Sequence, residues 1–138
     1  MKNLDQLKRQ HIEIFEVLKE TKELIRDGNY EENSQVIAKN ISNLAGKLQM
    51  HLLNEDRFLY PSFLKSENKD LKSKAEAYTS EMGGLSDKYK EFKTKFNTKN
   101  KILADINLFK SESRNVFMAI EKRINKEDND LYKIAEKL

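Results

Sequence analysis

The chain is expected to fold as an all-α, up-down-up-down four-helix bundle, and three observations in its 138 residues lead there. Apolar residues recur at steps of three and four in four separate stretches, as the buried face of an amphipathic helix requires. Only four Gly and one Pro punctuate the chain, too few for the many turns of an all-β architecture. The connections are short, which sets consecutive helices side by side and antiparallel. One domain, 1–138, accounts for the length, because two independent cores are hard to build from so few residues.

The first helix is expected from about Asn3 to Asp27, on Leu4, Leu7, Ile14, Phe15, Leu18, Leu24 and Ile25. Asn3 with Gln6 forms a capping box at its start, and Gly28 is a suitable stop. The second begins near Glu31 and carries Ile37, Ile41, Leu44, Leu48, Leu52 and Leu59. Pro61 has no N–H, so a kink or an end is expected there. The third has the most regular seam, Leu71, Ala75, Tyr78, Met82, Leu85, Tyr89, Phe92 and Phe96. Gly83-Gly84 interrupt it at a cost of about 1 kcal/mol each relative to Ala, which fits close packing, a kink, or a π-bulge and free volume beside a site. The fourth follows the connection around Asn97–Lys101, with Phe109, Val116, Phe117, Ile120, Ile124, Leu131 and Ile134.

Composition excludes several chemistries. With no Cys there are no disulfides, thiolate zinc sites, cysteine nucleophiles or iron–sulfur clusters, so any metal must be held by nitrogen and oxygen. Lys and Arg number 26 against 23 Asp and Glu, interspersed without a basic block, and the aromatic residues lie on helix seams. That pattern gives solubility and no nucleic-acid footprint. No Gly-rich phosphate loop or Ser-His-Asp signature is present, so enzymatic activity beyond metal redox chemistry has no support. Met1-Lys2-Asn3-Leu4-Asp5 is not followed by an apolar leader segment, and no apolar run approaches the ~20 residues of a membrane span. A cytoplasmic protein with no membrane partner is expected.

The informative residues are polar ones on the apolar face, where burial without a partner is costly. Both histidines fall there. His11 lies four after Leu7 and three before Ile14; His51 follows Leu48, and Glu55 comes four residues later on the same face. A His and a Glu at i and i+4 project together and can chelate a metal. The simpler reading of each histidine alone is a satisfied core residue. Height along the bundle adds to the metal reading: His11 is about 19 residues before the first turn and His51 about 21 after it, which puts them level. Counted from the second turn, Glu55 and Glu81 are also level. Glu127 falls on the fourth seam, at matching height if residues before about Asn107 belong to the connection. An internal echo supports it, since Glu55-Asp56-Arg57-Phe58-Leu59-Tyr60 and Glu127-Asp128-Asn129-Asp130-Leu131-Tyr132 share Glu-Asp-x-x-Leu-Tyr. An inward Glu repeated on two helices is what carboxylate-rich metal bundles use, although two amphipathic helices can also match by chance.

On these residues the sequence resembles the hemerythrin-like (HHE cation-binding) family across nearly its whole length. The resemblance rests on Gln10-His11, on His51 through Pro61, on Glu81-Met82-Gly83-Gly84-Leu85 and on Arg123 through Tyr132. It implies a four-helix bundle with a non-haem iron centre, di-iron more than mononuclear, that binds oxygen, nitric oxide or peroxide. The implied ligands are His11, His51, Glu55, Glu81 and Glu127. The histidine the family has one turn before the last carboxylate is Arg123 here, and Glu81 stands where the family has histidines. Carboxylates favour the ferric state, so oxygen chemistry or sensing is expected in place of reversible carriage. Arg123 leaves two readings, a positive charge replacing a metal's, or a structural residue at the bundle edge because Ile120 and Ile124 take the seam. Tyr60, Tyr78, Tyr132 and Asp128 are candidates for orienting the ligands. The expected partner is a small diatomic molecule or peroxide, and the chain is expected to be a monomer or homodimer. The alternative is a regulatory or interaction bundle whose polar core has lost metal binding.

Overall fold

The computed structural model describes residues 3–138, with side chains from Leu4 onward, so the Asn3 side chain of the expected capping box lies outside the described residues. It is all-helical, with no strand among the described residues. Helix α1 (Asn3–Asp27) stops where Gly28 turns left-handed at φ +79°. The Asn29 side chain then accepts from the Glu32 N–H and starts α2 (Tyr30–Asn54). A π-helical turn, Glu55–Leu59, links α2 without a break to α3 (Tyr60–Leu64). Pro61 therefore neither ends the helix nor sits at a simple kink. The winding changes just before it, and the helix continues to Leu64.

The third seam is two helices, α4 (Lys69–Met82) and α5 (Leu85–Phe96), where one was expected. Gly83 leaves the helix at ψ 151° and Gly84 is left-handed at φ +82°. A β-carbon on Gly83 would come 2.6 Å from the Thr79 carbonyl oxygen, so the break depends on glycine there. After Phe96 the connection folds as a short helix, α6 (Lys99–Ala104), before Asp105 caps α7 (Ile106–Lys126). This start agrees with the position that Glu127 needs. A second π turn, Glu127–Leu131, leads into α8 (Tyr132–Glu136).

Helix α1 packs along α2, α2 against α5 and α6, and α7 against α1, α4 and α5. Two apolar clusters result. The larger contains Ile14, Leu18, Leu48, Leu52, Phe92, Phe109 and Ile124, and the smaller Leu4, Leu7, Leu59, Phe63, Leu71 and Leu131. Leu52 and Ile124 precede the two π turns in one cluster while Leu59 and Leu131 end them in the other. A polar layer separates the two, and it lies at the start of both π turns. No helix among the described residues is long and apolar enough to cross a membrane.

Candidate metal centre

Four ligand-type side chains meet in that layer. His11 comes from α1, His51 from the last turn of α2, and Glu55 and Glu127 each open a π turn. None is more than 1% exposed, and each offers an atom within 4.8 Å of all the others. His51 Nε2 lies 3.0 Å from Glu55 Oε1, and His11 Nε2 lies 3.2 Å from Glu127 Oε1. Both histidine Nε2 atoms and Glu127 Oε1 are buried without a hydrogen-bond partner. The large majority of buried polar side-chain atoms are paired in folded proteins, so three unpaired ones converging on one place need an explanation.

The opposite side of each ring is held. His11 Nδ1 pairs with Asp128 Oδ1 at 2.7 Å, and His51 Nδ1 pairs with Gln10 Oε1 at 2.7 Å. With both acceptors taking the Nδ1 proton, each ring in its neutral form turns an Nε2 lone pair inward, the arrangement that metal-binding histidines adopt. The carboxylates are held across the layer. Tyr60 donates its hydroxyl to Glu127 Oε2 at 2.7 Å, and Tyr132 donates its own to Glu55 Oε2. The Arg123 guanidinium completes the layer, with Nε 3.2 Å from Glu127 Oε2 and Nη2 3.4 Å from Glu55 Oε1 and 2.8 Å from Asp56 Oδ1.

Burial and charge then set the protonation of the metal-free cluster. Burial alone would lower the His11 pKa, but Asp128, Glu127 and Glu55 outweigh it and hold it at about 9. His51 is pushed down to about 3, first by burial and then by the charge on His11, so this ring stays neutral. Glu127 is raised by burial and by the neighbouring Glu55. A proton on His11 is what such a site releases when a cation takes its place.

The family model of the hemerythrin HHE cation binding domain matches residues 2–135. The chain belongs to that family. No curated protein and no solved structure gave a match. The donor set of this HHE domain suits a cation on its own chemistry: two imidazoles oriented through Nδ1, two buried carboxylates, and three inward atoms with nothing else to bind.

Glu81 is the expected residue that the structure leaves out of the layer. Its side chain is 47% exposed and accepts from Lys126 Nζ at 2.7 Å. Met82, adjacent to it, is an equally good next step on the seam from Tyr78 to Leu85. The apolar residue takes the inward position, because a buried carboxylate costs far more than a buried thioether. Tyr78 likewise bonds Asp130 at the surface rather than a ligand, whereas Tyr60, Tyr132 and Asp128 all hold cluster residues. Arg123 is not at an edge. Only 2% of it is exposed, and its guanidinium lies in the layer.

Three features were missed by the sequence reading. Gln10 holds His51 and Asp56 holds Arg123; the first had no signal beyond standing beside His11, the second could be read from the echo with Asp128. The π turns did leave a trace. Buried residues step by four, four and four through 51, 55, 59 and 63, and again through 123, 127, 131 and 135. On a straight α-helix three such steps drift about 120° off the seam, and a wider turn removes the drift.

Proposed function

We propose that this HHE domain is a non-haem iron-binding protein. In this reading α1, the continuous helix from α2 to α3, the α4–α5 pair and the helix from α7 to α8 form an up-down-up-down bundle around the metal. It works in the cytoplasm on oxygen, nitric oxide or peroxide, binding, sensing or reducing it. The observation that carries the reading is the convergence of His11 Nε2, His51 Nε2 and Glu127 Oε1, all buried and unpartnered. Imidazole and carboxylate donors without sulfur suit iron among the redox metals, and two histidines with a carboxylate are the ligand type of non-haem ferrous sites.

Bound there, iron would supply the redox chemistry and an open coordination position for a small molecule. The rest is done by the chain. Asp128 and Gln10 keep the Nδ1 protons and so aim both lone pairs; Tyr60 and Tyr132 hold the carboxylates that would bind alongside. The apolar clusters on either side exclude bulk water from the layer. A cavity of about 250 Å³ bounded by Tyr60, Thr79, Gly83 and Arg123 lies beside the helix break and reaches the layer's edge. It has room for a diatomic molecule or peroxide.

The test begins with protein purified in air, followed by metal analysis and a search for ligand-to-metal absorption. Ferrous iron added without oxygen should then raise the unfolding free energy of the wild type by about 2.7 kcal/mol at a hundred times its Kd. His51→Leu should lose that gain. A wild-type protein that neither carries nor gains stability from iron would leave the second reading, a regulatory bundle whose polar core is closed by the Arg123 ion pairs.

A further inference from the structure

The two echoing segments build the layer as near-equal halves. In each, a Glu opens a π turn, the following Asp bonds a cluster residue from the rim, and the Tyr that ends the motif donates to the Glu of the other half. One turn before each Glu the halves differ: His51 stands 3.0 Å from its Glu55, and Arg123 stands 3.2 Å from its Glu127. We infer that Arg123 is the permanent second cation of this site, so that the chain holds one metal ion, between His11, His51, Glu55 and Glu127, and has no place for another. The inference rests on the metal reading above.

The donors still free decide the number. Glu55 Oε2 and Glu127 Oε2 each accept a tyrosine hydroxyl, and Glu127 Oε2 also accepts from Arg123 Nε. Glu55 Oε1 accepts from Arg123 Nη2 at 3.4 Å and lies 3.0 Å from His51 Nε2. Within the layer, the unpartnered atoms form one cluster, the two Nε2 atoms and Glu127 Oε1. A second ion would need a donor from position 123, and a guanidinium has only N–H groups and a charge that it never loses. It also cannot turn away at little cost. Asp56, Glu55 and Glu127 all bind it, and it stacks over the Tyr60 ring at 5.3 Å. Its planar fork is suited to joining two carboxylates, which a second metal ion would otherwise do.

The full chain, stripped of metal, is titrated with ferrous iron under argon, and in parallel with manganese(II) followed by electron paramagnetic resonance. Wild type should saturate at one ion per chain, with the signal of an isolated manganese. Arg123→His, which makes the second half match the first, should take two ions and give the signal of a coupled pair. Arg123→Lys keeps the charge and should stay at one. Two ions in the wild type would overturn the inference while leaving the metal reading intact, and a folded Arg123→His that stops at one would do the same. No binding in the wild type would overturn the metal reading and this inference with it. Should Arg123→His fail to fold, the wild-type stoichiometry and signal still decide.

Discussion

The segment from His51 to Tyr60 and the segment from Arg123 to Tyr132 share helix geometry, π turn and tyrosine, yet they handle charge in opposite ways. In the first, a neutral imidazole faces a carboxylate and leaves its lone pair unused. In the second, a guanidinium already neutralises the carboxylate it faces. Asp56 and Asp128 follow the same division: one is spent on Arg123, the other on His11. The same backbone can therefore present a ligand or close a site, and the residue one turn before the glutamate decides which.

The comparison is broken most severely at its point of difference. Arg123→Met removes the guanidinium that pairs with buried Glu55 and Glu127 and should destabilise the metal-free protein by about 3–5 kcal/mol in denaturant unfolding. His51→Leu removes no charge and should leave the metal-free protein close to wild type. Equal losses from the two substitutions would contradict the division of roles.

A smaller effect tests the two aspartates. Asp128→Asn disturbs the carboxylate that orients His11, so metal affinity should fall about 10–100-fold, read from the same iron titration. Asp56→Asn acts on Arg123 and should leave that affinity nearly unchanged. Loss of affinity in both variants to a similar degree would mean that the halves act as one unit. The smallest effect is expected at Glu81, whose carboxylate lies at the surface against Lys126. Glu81→Gln should alter neither ion stoichiometry nor the stabilisation by iron, and a change in either would return Glu81 to the ligand set.

Much of this was legible in the residues because burial imposes periodicity. His11, His51, Glu55 and Glu127 could be found by asking which polar residues share a seam with Leu7, Leu48 and Ile124. The Gly83-Gly84 pair announced a disturbance, though only φ and ψ show that it divides α4 from α5. Seam arithmetic failed at Glu81 because Met82 satisfies the same spacing, and spacing alone does not weigh the cost of burying charge. It failed at Arg123 for the converse reason: a charged residue beside Ile124 looks like surface until three carboxylates from two helices are found around it. Such pairing depends on long-range geometry that no local pattern carries.

The π turns have a consequence for how this protein can change over generations. Each is in effect one residue more than an α-helix needs, added where a glutamate must face the layer and the following apolar residues must still face inward. Exchanging side chains within Glu127–Leu131 alters chemistry one group at a time. Deleting a single codon there would rotate everything beyond it by about 100°, carrying Leu131, Tyr132 and Ala135 away from the faces they now bury. The spacing between the glutamate and its tyrosine is thus inherited as a length, and shortening it would remove the polar layer and the core below it in one step.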